Sequence, residues 1–94
     1  MKLIMEKMLI YKLWEYACNG DIEKLKKYYS EHNETNRRYC RFNKEHSLIM
    51  GALRNNQFET VEYLISVGET ITDEEKEQIL TELKRIDIMK KLVN

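Results

Sequence analysis

Apolar residues recur at Leu3, Ile4, Met8, Leu9, Leu13, Trp14, Tyr16 and Ala17. Spacings of three and four place most of them on one broad stripe and predict a helix from Lys2 to Asn19. Met5 and Ile10 lie off that stripe, so the helix is apolar on more than one side. Asn19-Gly20-Asp21 then reads as a stop and a restart, with Gly suited to the position after a helix and Asp to an N-cap. A second, shorter helix follows, with Ile22, Leu25, Tyr28 and Tyr29 on one face and Glu23, Lys24, Lys26 and Lys27 on the other. From Glu31 to His46 the periodicity disappears and the chain is polar, with Tyr39 and Phe42 as its large apolar groups; this predicts an exposed loop. Ser47 is the expected N-cap of a third helix carrying Leu48, Ile49, Ala52 and Leu53 inward. Asn55-Asn56-Gln57 breaks it, and Phe58, Val61, Leu64 and Ile65 define a fourth that ends at Gly68.

Thr72-Asp73-Glu74-Glu75 has the spacing of a capping box, with extra carboxylates at the positive end of the helix dipole. Ile79, Leu80, Leu83, Ile86, Met89, Leu92 and Val93 continue at helical spacing. One long helix and two short ones with a break near Arg85 to Asp87 fit equally.

At 94 residues and 43% hydrophobic, the chain is one small domain with a modest core. Zero prolines and three glycines leave little turn chemistry for a many-stranded β fold. Sixteen basic and sixteen acidic side chains cancel, which argues against affinity for nucleic acid or membrane surfaces through overall charge. The charge is nevertheless segregated: residues 1–46 hold ten basic and seven acidic groups, residues 47–94 six and nine. Such a dipolar chain orients itself toward a partner. The opening Met1-Lys2-Leu3-Ile4-Met5 begins like a signal peptide, but Glu6, Lys7 and Lys12 interrupt it and no small-residue cleavage site follows. No apolar stretch approaches the ~20 residues a membrane span needs. The expected location is cytoplasmic.

Cys18 and Cys40 are too few for a disulfide scaffold and too far apart for a CxxC motif. Cys18, His32, Cys40 and His46 match no zinc spacing, so no metal is expected. No serine or cysteine sits in a recognisable nucleophile elbow, and no Gly-rich phosphate loop exists. The chain is expected to be no enzyme and to hold no cofactor. Glu69, Asp73, Glu74, Glu75 and Glu77 form an acidic cluster that reads as dipole compensation and solubility rather than a cation site. Arg37-Arg38-Tyr39-Cys40-Arg41-Phe42-Asn43-Lys44 carries four positive charges in eight residues with two aromatics interleaved. That is the composition of a phosphate or nucleic-acid contact. Equally, it is a solvated loop whose Tyr39 and Phe42 tuck back onto the helices.

Residues 13–30 also align with residues 49–66 at an offset of thirty-six: Leu13 with Ile49, Ala17 with Leu53, Asn19 with Asn55, Leu25 with Val61, Tyr28 with Leu64. A weaker third copy sets Ile86, Met89, Leu92 and Val93 against Phe58, Val61, Leu64 and Ile65. Tyr16-Ala17-Cys18-Asn19-Gly20-Asp21-Ile22-Glu23-Lys24-Leu25 and Phe58-Glu59-Thr60-Val61-Glu62-Tyr63-Leu64-Ile65-Ser66-Val67-Gly68 resemble stretches of ankyrin repeats. The resemblance covers residues 13–71. It departs from the family where Ser47-Leu48-Ile49-Met50 replaces the Thr-Pro-Leu-His turn and Asn56 replaces the glycine between helices. It implies an all-α fold of stacked helix-turn-helix repeats with an extended N-terminal helix and a C-terminal capping helix. Repeat 1 would span 2–46, repeat 2 47–71, and a degenerate cap 72–94.

The resemblance further implies a non-enzymatic protein–protein interaction module whose contact surface combines protruding fingers and first helices. On it the expected partner-binding residues are Arg37, Arg38, Tyr39, Arg41 and Phe42, with Trp14 and Tyr16 contributing. Abundant Lys, Asn, Ile and Tyr suit an AT-rich genome, and short divergent members of this kind suggest a viral or phage inhibitor or adaptor acting on a host protein. Two alternatives stand beside it: nucleic-acid binding through the basic loop 37–44, and a homodimer through the apolar N-terminal helix.

Overall fold

The computed structural model describes residues 2–78, with side chains from Met5 onward. Helix α1 runs Lys2–Asn19, α2 Ile22–Glu31, α3 Leu48–Arg54, α4 Phe58–Ser66 and α5 Asp73–Gln78; strands β1, Tyr39–Arg41, and β2, Lys44–His46, lie between α2 and α3. The continuation from Ile79 to Val93, the choice between one helix and two there, and the third repeat copy lie outside the described residues.

Local signals set most of the helix ends. Asp21 Oδ1 accepts the Lys24 N–H at 3.3 Å, and Ser47 Oγ accepts the Met50 N–H at 3.1 Å. The capping box closes in both directions: Thr72 Oγ1 accepts the Glu75 N–H at 3.1 Å while Glu75 Oε1 accepts the Thr72 N–H at 2.9 Å. The turns inside the two helix pairs are built alike. Gly20 has φ 73° and Asn56 φ 60°, the left-handed conformation that Gly and Asn tolerate best. Asp21 N–H bonds the Tyr16 carbonyl at 2.8 Å and, thirty-six positions on, Gln57 N–H bonds the Ala52 carbonyl at 2.9 Å.

The core gathers Leu13 and Ala17 of α1, Leu25 of α2, Leu48 to Leu53 of α3, and Val61 and Leu64 of α4. Helix α3 is the central element: six consecutive residues, Leu48 to Leu53, are buried, and α1 packs mainly against it. Gly51 makes that approach feasible. A Cβ there would stand 2.9 Å from Trp14 Cζ3 and 3.1 Å from Cys18 Sγ, closer than packed carbons tolerate.

The all-α expectation is overturned by β1 and β2, which form a two-stranded antiparallel sheet with Tyr39 opposite His46, Cys40 opposite Glu45, and Arg41 opposite Lys44. The fold is mixed α and β. The reason lies in the turn: Phe42 and Asn43 have φ 53° and 61°. This left-handed pair closes a two-residue hairpin whose twist matches the strands. Half of the segment expected to be a loop is therefore a β-hairpin, and residues 32–38 form an irregular strap leading into it. Among the described residues, no helix is long and apolar enough to cross a membrane.

Candidate protein-contact site

The hairpin is held down on one face by aromatic rings. Tyr39 stacks on Trp14 with centroids 5.2 Å apart at 26°, and Tyr11 meets Tyr39 edge-on at 5.8 Å. His46, opposite Tyr39 on β2, lies 5.5 Å from the Trp14 ring. Tyr39 and His46 face the same way because paired residues share a face of the sheet. Two residues expected to touch a partner, Trp14 and Tyr39, are thus the anchor of the hairpin.

Arg37 and Arg38 are engaged within the chain as well. The Arg37 guanidinium pairs with Glu34. Arg38 donates to the Thr70 carbonyl at 2.8 Å and to Thr70 Oγ1 at 3.2 Å. Asn36 completes this clamp between the strap and the turn after α4: its Oδ1 accepts from Thr70 N–H at 2.8 Å and from Thr70 Oγ1 at 2.9 Å. Lys44 reaches Glu74 at 3.4 Å. Tyr16 joins neither group; the Lys24 ammonium lies 5.3 Å from its ring centroid, in a cleft between α1 and α2 that His32 and Tyr28 also line.

What projects is the tip. Phe42 is 84% exposed, and the Arg41 guanidinium lies 5.0 Å from its ring centroid. A bulky residue in the left-handed region costs about 1 kcal/mol, and an exposed Phe recovers none of that by burial. The aromatic stack at the base holds the conformation. Of the seven residues singled out in the sequence, Arg41 and Phe42 form the projecting pair.

Two acidic residues do more than solubilise. Glu69 and Glu75 are each only 4% exposed. Glu69 Oε2 accepts the Tyr29 hydroxyl at 2.7 Å and the Asn36 N–H at 3.0 Å, tying α2, the strap and the turn after α4 together. Glu75 Oε2 accepts the Ser47 N–H at 2.9 Å, joining the start of α5 to the start of α3. The acidic cluster in the sequence did signal carboxylates at this position; that two of them turn inward depends on distant contacts.

Burial, reinforced by the hydrogen bond to Glu69 and by its negative charge, holds the Tyr29 phenol far above its ordinary range. Burial pushes the Tyr28 and Tyr63 phenols up too, though Arg37 draws Tyr28 partly back. An unfolded chain releases these protons near pH 10, whereas the fold retains that of Tyr29 and holds those of Tyr28 and Tyr63 to higher pH. Above that pH the unfolded state binds fewer protons, so stability falls as pH rises, by at most ~1.4 kcal/mol per pH unit for each tyrosine. Urea unfolding midpoints should be level up to about pH 9 and drop by about pH 11. Tyr29→Phe makes the drop shallower, with Tyr28 and Tyr63 supplying the remainder; an unchanged slope in that variant would assign it elsewhere.

Burial, with the Glu15 charge behind it, raises the Cys18 thiol; Cys40 is exposed on β1. Among the described residues no three His, Cys, Asp or Glu side chains converge as metal ligands. The arrangement supplies shape, an aromatic ring and a cation. Compared with protein-family models, curated proteins and solved structures, the chain matches none.

Proposed function

We propose that the chain is a non-enzymatic protein–protein interaction module that contacts its partner through the hairpin tip. The observation that carries this reading is Phe42, 84% exposed beside Arg41 on a hairpin anchored at its base. An aromatic and an arginine are the side chains that most often dominate binding energy, and an anchored presentation reduces the ordering cost of association. The likeness of residues 13–71 to ankyrin repeats, which are binding modules, points the same way. Nucleic-acid binding through 37–44 is less well supported, because the charges of Arg37 and Lys44 are paired with Glu34 and Glu74. A phosphate-tracking groove needs its cations free.

Capture from nuclease-treated host lysate, read by mass spectrometry, tests the reading when wild type and Phe42→Ala are run side by side. Loss of a hot-spot aromatic weakens binding by ~30-fold, so one protein should be captured by the wild type and lost by the variant at equal thermal stability. Capture that disappears with nuclease would instead favour nucleic acid. A second reading, self-association through α1, is favoured by Met5 and Met8, 69% and 60% exposed on that helix. Light scattering that shows a monomer at high concentration would dispose of it.

A further inference from the structure

The hairpin has a free edge beside a helix. In a two-residue hairpin the closing pair, here Arg41 and Lys44, exchanges both backbone hydrogen bonds, and bonded pairs then alternate with non-bonded ones. Tyr39 and His46 are therefore the next bonded pair, and Cys40, opposite Glu45, turns its N–H and C=O away from β2. Among the described residues nothing pairs with those two groups. On that side lies a cleft of about 370 Å³ lined by Glu6, Lys7 and Ile10 of α1 and by Arg38, Tyr39 and Cys40. No lining residue comes from β2, so the cleft sits at the outer edge of β1.

We infer that this cleft accepts an extended, acidic peptide segment of a partner protein as an added strand on β1. The inference deepens the interaction reading above and rests on it. An unpaired strand edge offers main-chain hydrogen bonds, and a helix alongside supplies walls that read alternate side chains. Ile10 and Tyr39 give the apolar wall. Lys7 and Arg38 line the cleft against one carboxylate, Glu6, and among the described residues Arg38 bonds the neutral Thr70, which leaves its charge uncancelled. This excess favours acidic side chains on the incoming strand. It also disfavours a second copy of the chain, since pairing two β1 edges would gather Arg38 and Arg41 of both copies in one short ladder.

The test is selection of a phage-displayed library of random nonapeptides on the full chain. The expected result is enrichment of acidic sequences with alternating apolar residues. Cys40→Pro should weaken the enriched peptide by at least about tenfold, because it deletes the outward N–H while leaving the β1–β2 bonds intact. N-methylation of alternate peptide amides on the wild-type chain is the second measurement, and it decides the matter even if Cys40→Pro fails to fold. One set of positions should abolish binding and the other leave it unchanged. Absence of enrichment, or binding indifferent to amide methylation, overturns the inference. If Phe42→Ala still abolishes capture of a whole partner in that case, the tip remains the contact and only the added strand falls.

Discussion

Glu75→Ala is expected to lower the unfolding free energy by about 3 kcal/mol, because it strands one buried and one half-buried backbone donor. One is the Ser47 N–H, on the fully buried residue that caps α3; the other is the Thr72 N–H, which starts α5. An unsatisfied buried donor costs about 1–3 kcal/mol, and the lost capping box adds to it. For a chain this short the melting temperature should fall by roughly 15 °C. Glu75→Gln keeps one carbonyl acceptor, so it should lie between Ala and wild type. Thermal unfolding followed by circular dichroism checks both. A Glu75→Ala protein within about 0.5 kcal/mol of wild type, the range of ordinary surface changes, would mean that the carboxylate does not hold α5 to α3.

Trp14→Ala is expected to cost about 3–4 kcal/mol, the range for removing a large aromatic from a packed site. It takes away the ring on which Tyr39 and His46 rest and opens a void beside Gly51. The consequence extends to binding. With its base released, the hairpin must be ordered at the moment of association, and that ordering cost lowers affinity. Trp14→Phe should restore much of the stability, since a smaller ring still stacks on Tyr39. Loss of stability with unchanged partner affinity would show that the tip needs no anchor.

These two side chains also mark where the sequence was legible. The helix pairs were readable because their signals are local: Asp21 and Ser47 cap within one turn, the Thr72–Glu75 box spans three residues, and Gly20 and Asn56 sit where a left-handed residue is required. The hairpin was not. Its strands are three residues each, too short for an alternation to register, and its turn is Phe42-Asn43 rather than a glycine pair. What selects it is a contact with Trp14, twenty-five positions or more away in the chain.

The candidate site divides in the same manner. The sequence singled out the segment 37–44 by its cations and aromatics, yet composition carries no information about which cations are already engaged. Arg38 is claimed by Thr70, and Tyr39 by Trp14; both contacts are long-range. Glu69 and Glu75 belonged to a run of carboxylates that looked uniformly exposed. Their neighbours Asp73 and Glu74 are exposed, while these two meet donors on α2, the strap and α3. Triple replacement of Arg37, Arg38 and Arg41 would therefore mix loss of the clamp with loss of a contact; Arg41→Ala alone separates them.

The most direct test of the contact assigned to the tip is a photo-crosslink from that position. Phe42→benzoylphenylalanine keeps an aromatic at the exposed site, and irradiation in nuclease-treated cell lysate joins it to whatever lies against it. The same substitution at exposed Ser66 on α4 serves as the comparison. A single protein adduct formed from position 42 and absent from position 66 is the predicted result. Equal labelling from both positions, or none from 42, would contradict the assignment of the hairpin tip as the partner contact.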